Sequence, residues 1–525
     1  MTDQIASKAP WVHAVPLPTH ITVGVIGAGT MGSGIAQVAA TAGHQVKIFD
    51  TRAQAISQGI ESVKASLRRG VARGKLSEEA ASEAAARIVP VTGPAAFADA
   101  GLVIEAIVED FEMKREILRQ LEKVVSEDCL LATNTSSLSV TELAATLSRP
   151  GRFVGIHFFN PAPLMELTEI VSGLSTSPKT VAIAGATTRA WNKTPILAKS
   201  TPGFIVNRVA RPFYVEALRL LTEQAADIAT LDELVRESGG FPMGPFELMD
   251  FIGNDINFAV TQSVFRGSFF DSRFRPSLIQ QELVQSGFFG RKSGRGFYRY
   301  TPDADQARPI LEPPTRSPKK VVFSETKPIT EPLFERLQSN FPHATRSSRI
   351  STAGQLVQTE NALLCLTDGR TASQLACELR TPNVVLIDLA YDYGKAQTLA
   401  VARADQCSER AYHSIVGLLQ AGGFNVAHLR DLPGLAVMRM VTMVINEAAD
   451  AVHYGVSSRD DIDLAMRKGA NYPCGPFAWS AKLGIRTLHR VLKNLATTYG
   501  EDRYHVSPLI DRSFWSGRRL DESPN

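Results

Sequence analysis

Separate motifs in this chain recur at one fixed distance, 231 positions, without a gap. Pro202-Gly203-Phe204 returns as Pro433-Gly434-Leu435, Glu216-Ala217 as Glu447-Ala448, and Asp232 as Asp463. Pro242-Met243-Gly244-Pro245-Phe246 returns as Pro473-Cys474-Gly475-Pro476-Phe477. A constant offset of this kind marks one folding unit present twice. Both stretches have helical character, so residues 201–300 are read as an all-α domain and residues 431–525 as its second copy. The 525 residues exceed what one hydrophobic core organises, in keeping with several domains.

Ahead of the first copy the pattern is different. From Ile21, short apolar runs alternate with amphipathic helical stretches. Strands are predicted at Thr22–Ile26, Gln45–Phe49, Leu102–Ile107, Leu130–Thr133 and Phe153–His157, with helices such as Met31–Ala42 and Phe111–Val125 between them. Such alternation predicts a parallel sheet covered by helices on both faces. Between Asp50 and a strand near Ile88, the helical character is broken only around Gly70–Gly74. One crossover helix needs fewer residues, so a helical hairpin projecting from the sheet is predicted. Residues 21–200 form this α/β domain, after an N-terminal extension of residues 1–20. A Pro-rich, charged stretch at Pro309–Lys320 reads as a linker. The segment 301–430 has strand patterns at Leu363–Thr367, Val384–Asp388 and Asn425–Leu429, and reads as a shrunken α/β unit without a Gly-rich fingerprint. The predicted fold class is a Rossmann-like dinucleotide-binding domain followed by an all-α domain, then a degenerate α/β segment and a second all-α copy.

Composition excludes several function classes. The net charge of +3 is nearly neutral for this length and no Lys/Arg block stands out, which argues against nucleic-acid binding. No apolar run is long enough to span a bilayer, and the first twenty residues hold no export signal. The five cysteines are scattered without metal-ligand spacing, so no metal site is expected and a reducing compartment is. A cytoplasmic enzyme without a membrane partner is the expectation.

The strand Val23–Ile26 runs into Gly27-Ala28-Gly29-Thr30-Met31-Gly32 and a small-residue helix, and Asp50 closes the second strand. In that context each residue has a reason. Gly27 permits a tight turn, Gly29 lets the backbone approach a pyrophosphate, and Gly32 allows helix to pack on strand. The helix N-terminus offers N–H groups to the phosphates. Asp50 would accept from ribose hydroxyls and repel a 2′-phosphate, so the expected cofactor is NAD.

Two further fragments carry chemistry: Asn134-Thr135-Ser136-Ser137-Leu138 after a strand, and Gly155-Ile156-His157-Phe158-Phe159-Asn160-Pro161 with Glu169 twelve residues past the histidine. In a parallel sheet, Ser136 and His157 would gather at the edge that holds the Gly-rich loop. Oxidising an alcohol needs a base for the hydroxyl proton, and histidine titrates near neutrality. A carboxylate such as Glu169 would fix its tautomer and stabilise the imidazolium.

GAGTMG, NTSSL, HFFNPAPLMELTEI, STPGFIVNR, GGFPMGPFELMD and GRKSGRGFY, in this order, resemble the L-3-hydroxyacyl-CoA dehydrogenase family. The resemblance covers about residues 21–300, and with the second copy extends to about 500. It implies oxidation of a 3-hydroxyacyl-CoA by NAD, with His157 as general acid/base, Glu169 as its orienting partner, and Ser136 and Asn207 on the substrate oxygen. It implies Glu109, Lys114 and Lys292 at the nicotinamide ribose. Ser66, Arg73, Ser136 and Asn160 are implied as substrate-binding, the first two for CoA, although the family more often has lysine at the Arg73 position. The tandem helical arrangement resembles longer bacterial members associated with phenylacetate catabolism. That implies 3-hydroxyadipyl-CoA, or the shorter 3-hydroxybutyryl-CoA, as substrate. The second copy has Met438 in place of Asn207 and no fingerprint or His–Glu pair before it, so it is read as an internal partner pairing with the first. A homodimer is the alternative assembly. Two competing functions stand beside this one: a dehydrogenase of a small hydroxy acid without CoA, and a non-catalytic NAD-binding protein.

Overall fold

The structure is a computed structural model, and it describes residues 9–302, 304–305, 307–324, 328–347 and 354–522. The first eight residues of the predicted N-terminal extension lie outside the described residues. The chain divides into two compact units: residues 1–208 with 455–470, and residues 209–454 with 471–525.

The first unit is built on an eight-stranded sheet of β1 (Thr22–Ile26), β2 (Val46–Phe49), β3 (Ile88–Pro90), β4 (Ala100–Glu105), β5 (Leu130–Thr133), β6 (Phe153–Phe158), β7 (Leu167–Ser172) and β8 (Thr194–Lys199). The spatial order is β3-β2-β1-β4-β5-β6-β7-β8. Neighbours are parallel except for β6 and β7, which are antiparallel. The expected wholly parallel sheet is therefore mixed on the far side. The apolar runs that predicted β1, β5 and β6 are buried almost throughout, as strands covered on both faces must be. The predicted hairpin exists as the helices Ala53–Ala72 and Glu78–Ala86, the second capped by Ser77. On the longer helix only Gly59, Val63 and Leu67 are buried, one stripe at fourfold spacing. The N-terminal stretch is docked: Trp11 is buried, and a Cβ on Gly185 would come within 2.2 Å of its ring. That glycine is the socket for the indole.

The second unit holds a seven-stranded sheet of β9 (Val321–Phe323), β10 (Thr345–Arg346), β11 (Gln355–Thr359), β12 (Leu363–Leu366), β13 (Val384–Ile387), β14 (Thr398–Arg403) and β15 (Asn425–His428). Its order is β10-β9-β11-β12-β13-β14-β15. The first residues of β13, β14 and β15 fall 231 positions after those of β6, β7 and β8. The same offset relates the helix Glu409–Ala421 to Pro178–Ala190. The repeat therefore extends through the shrunken α/β segment, and β13–β15 repeat the antiparallel-then-parallel pairing of β6–β8.

The helical copies meet within this unit along the helices Arg211–Thr222 and Val437–His453. Arg439 donates to Glu216 at 2.7 Å and to Glu223 at 2.8 Å, and Arg273 donates to Glu447 at 2.8 Å and to Asp450. Glu216 and Glu447 are repeat equivalents. Both receive a buried arginine from the other copy. Removing one partner of a buried pair of this kind costs roughly 3–5 kcal/mol.

Candidate active site

The Gly-rich turn between β1 and the helix Thr30–Thr41 fits a dinucleotide by its own sterics. Gly27 has φ +101°, and a Cβ there would lie 2.5 Å from the Ala106 carbonyl oxygen. A Cβ on Gly32 would lie 1.8 Å from the Gly27 carbonyl oxygen, so helix and turn are in contact. Above Gly29 there is nothing within 4 Å, which leaves its backbone open to a phosphate. Asp50 follows β2, and its two oxygens accept the N–H groups of Ala28 at 2.9 Å and Arg52 at 3.0 Å. Those bonds hold the carboxylate beside the turn, with lone pairs left for ribose hydroxyls. A cleft lined by Ala28, Gly29, Thr30, Arg52, Gln58 and Ser62 opens from this turn toward the hairpin.

His157 and Glu169 face each other as a cross-strand pair of β6 and β7. His157 Nδ1 and Glu169 Oε2 are 2.6 Å apart, both residues buried. With the carboxylate oxygen as acceptor, Nδ1–H donates and the lone pair sits on Nε2. The imidazole lies against Phe159, with ring centroids 4.5 Å apart, and meets Phe204 edge-on at 5.9 Å. The other Glu169 oxygen, Oε1, accepts the N–H groups of Ile205 at 3.0 Å and Val206 at 2.9 Å. One carboxylate thus ties the imidazole to the short helix Val206–Val209, which carries Asn207.

The loop with Ser136 is organised by Glu109. Its Oε1 accepts from the Thr135 hydroxyl, the backbone N–H groups of Ser136 and Ser137, and the Ser137 hydroxyl. Burial pushes the Glu109 carboxyl up, but the Lys114 ammonium and these donors outweigh it and hold the group below its ordinary range. Asn134 Oδ1 accepts the Phe158 N–H at 2.8 Å, joining this loop to the strand of His157.

Lys114 differs in setting from what its implied role suggests. It is 1% exposed, donates to the fully buried Glu105 at 2.6 Å, and reaches Glu109 at 3.3 Å. Glu105, which sequence reasoning missed, also accepts from Thr133 at 2.7 Å and braces the ends of β4 and β5. Its only signal was an acidic residue ending an apolar run.

Within the first unit, therefore, Gly27, Gly29, Gly32, Asp50, Glu109, Ser136, His157, Glu169 and Asn207 lie on the strands of one sheet or on the turns and helix starts that adjoin them. Asn160 is exposed just beyond β6. Ser66 is half-buried on the hairpin and Arg73 is exposed at its helix end. Lys292 belongs to the second unit, where its ammonium pairs with Asp255 at 2.7 Å.

A dinucleotide turn and a carboxylate-oriented histidine on one sheet define an alcohol dehydrogenase that uses a nicotinamide cofactor. Residues 22–201 match the NAD-binding domain of 3-hydroxyacyl-CoA dehydrogenase, and residues 203–300 and 434–523 match its C-terminal domain. Residues 364–433 match the reduced Rossmann-fold domain of 3-hydroxybutyryl-CoA dehydrogenase. The sequence is 44% identical over 489 residues to 3-hydroxyadipyl-CoA dehydrogenase of Escherichia coli K12, covering 93% of this chain and 96% of that one. Human mitochondrial hydroxyacyl-coenzyme A dehydrogenase is 38% identical over 288 residues, covering 54% of this chain and 91% of its own. The crystal structure of 3-hydroxybutyryl-CoA dehydrogenase from Escherichia coli K12 matches with TM-score 0.86 and 43% identity, covering 95% of this chain and all of that one. The chain belongs to the 3-hydroxyacyl-CoA dehydrogenase family. It is an NAD-dependent oxidoreductase of 3-hydroxyacyl-CoA thioesters, and the two competing functions fall away.

Proposed function

We propose that this chain oxidises a short 3-hydroxyacyl-CoA, 3-hydroxyadipyl-CoA or 3-hydroxybutyryl-CoA, at the site formed around His157 and Glu169. The observation that carries it is the 2.6 Å bond between His157 Nδ1 and Glu169, which leaves Nε2 as the basic nitrogen. Nε2 takes the hydroxyl proton as the carbonyl forms, and Glu169 stabilises the resulting imidazolium. Ser136 and Asn207 hold the substrate oxygen, and Asn160, Ser66 and Arg73 contact the acyl-CoA. Gly27, Gly29, Gly32, Asp50 and Glu109 hold the cofactor, and the buried Lys114 supports Glu109. When bound, NAD+ supplies the hydride acceptor.

The domains that follow from this reading are an N-terminal extension at 1–20, the NAD-binding domain at 21–200 and the helical domain at 201–300. The degenerate α/β segment at 301–430 and the second helical copy at 431–525 complete the chain. The second copy pairs internally with the first, supported by the Arg439–Glu216 and Arg273–Glu447 bonds, and a homodimer remains compatible with it. We place the enzyme in the cytoplasm, without nucleic-acid or membrane partners. Free cysteines support a reducing compartment, and no described helix is long and apolar enough to cross a membrane.

Steady-state reduction of acetoacetyl-CoA and of a 3-keto dicarboxylyl-CoA by NADH tests the reading. A higher kcat/KM for the dicarboxylyl thioester is expected from the likeness to the adipyl enzyme. Turnover of neither thioester would overturn the assignment.

A further inference from the structure

The second helical copy carries no base, yet part of it lies within the first compact unit. Strand β8 is the edge of that unit's sheet, and an edge offers a row of unpaired backbone groups. Here the row is taken up by residues of the second copy. Lys199 donates its N–H to the Val456 carbonyl at 3.0 Å, and the Ser457 hydroxyl donates to the Leu197 carbonyl at 2.6 Å.

From there the helix Arg459–Gly469 runs along β7 and β8. Near its end the Lys468 ammonium pairs with Glu166, the residue before β7, and lies 3.4 Å from the Thr194 hydroxyl at the start of β8. Gly469 closes the contact: a Cβ there would sit 2.6 Å from Leu167 Cδ2 and 3.0 Å from Val206 Cγ2. Leu167 opens the strand that bears Glu169. Val206 gives its N–H to Glu169 and precedes Asn207.

The second unit contains the same bracket with the copies exchanged. Arg430 donates its N–H to the Ala225 carbonyl at 3.0 Å, and the Ser238 hydroxyl donates to the Thr398 carbonyl at 2.5 Å. Positions 225, 238, 398 and 430 are the repeat equivalents of 456, 469, 167 and 199. The arrangement therefore belongs to the repeat. Only one of the two brackets backs a catalytic pair, because the other sheet has Asp388 and Ala400 where His157 and Glu169 stand.

We propose that residues 456–469 of the second copy are a positioning element for the catalytic dyad: they fix the start of β7 and the Val206 turn, the two supports of Glu169. The second copy is then a working part of the first copy's active site. This rests on the function proposed above, so wild-type turnover of acetoacetyl-CoA is measured first, and its absence would count against that function alone.

In the full-length chain, Gly469→Val pushes Leu167 and Val206 apart, and Lys468→Glu turns the Glu166 attraction into repulsion. Each variant should lower kcat, Gly469→Val by roughly tenfold, the scale expected for displacing a catalytic group by a fraction of an ångström. NADH affinity should stay at the wild-type value. In acetoacetyl-CoA reduction the imidazolium gives the proton, so the alkaline limb of the kcat/KM profile should move to lower pH, because a loosened Glu169 stabilises the imidazolium less. The mirror variant Ser238→Val disturbs the equivalent contact on the sheet without a dyad, and should lower Tm while leaving kcat and the profile unchanged. Unchanged kcat and profile in Lys468→Glu, or an equal kcat loss in Ser238→Val, would overturn the proposal even if Gly469→Val failed to fold.

Discussion

Glu169 and Asp388 anchor the same helix start in the two copies of the repeat. Glu169 accepts the N–H groups of Ile205 and Val206, while Asp388 accepts those of Ala436 at 2.9 Å, Val437 at 2.7 Å and Met438 at 3.0 Å. Ile205 and Val206 stand 231 positions before Ala436 and Val437. Asp388, however, occupies the place of His157, and the place of Glu169 has become Ala400. A shorter carboxylate has moved to the neighbouring strand and kept the anchor without the imidazole. The two tasks of Glu169, orienting a base and holding a helix, are separable in this fold.

Loss of the base should be felt in chemistry alone. His157→Gln and Glu169→Gln should each reduce kcat, the first by about 10²–10⁴, the span of positioned acid–base catalysis. NADH affinity, measured by fluorescence titration, should remain near the wild-type value in His157→Gln. Full activity in either variant would remove the assigned role.

Asp388→Ala should do the reverse. Each buried N–H left without an acceptor costs about 1–3 kcal/mol. Denaturant unfolding should show a loss of at least about 2 kcal/mol, with kcat of the folded enzyme unchanged. A variant as stable as the parent would mean that water or another group satisfies those donors.

Cofactor choice should depend on Asp50, which the turn holds beside the ribose position. The enzyme should prefer NADH to NADPH in kcat/KM, and Asp50→Ala should narrow the gap by restoring tolerance of a 2′-phosphate. Equal use of both cofactors by the parent enzyme contradicts this.

Acid should weaken the second unit through Asp450. Burial pushes that carboxyl up, but His505 and the Arg273 guanidinium outweigh it and hold it down at about 2. A depressed carboxyl contributes stability above its unfolded value near 4, and that contribution is lost as pH falls from there toward 2. The loss is on the order of 2 kcal/mol. Asp450→Asn should flatten this part of the stability–pH curve, and identical curves for variant and parent would show that another group is responsible.

The cofactor turn was legible because its glycines answer to local sterics, and β1, β5 and β6 because continuous apolar runs bounded by turns can be read from one segment. Glu169 was visible only as a nearby carboxylate. Its partnership with His157 depends on β7 running antiparallel to β6, and apolar pattern carries no strand direction. The pairing of Lys114 with Glu105 escaped for a related reason: a buried ion pair looks in sequence like two solvated charges. Trp11 docking into the gap above Gly185 joins residues far apart in the chain, and neither carries a mark of the other. The repeat was recognised where turn residues repeat. It is faint through β13–β15, where few residues repeat and the shared element bounds show it instead.

The cover over β8 also has a timetable. Leu197 and the Ser457 hydroxyl that satisfies its carbonyl are 260 residues apart. At a synthesis rate of about 5–20 residues per second, a nascent chain waits on the order of ten seconds to a minute between making the edge and making its cover. During that interval β8 is an open template for another chain. Pro195 lacks an N–H and Lys199 carries a charge, the two residue types that blunt strand pairing at exposed edges. They guard on the ribosome a strand that the finished protein no longer needs guarded.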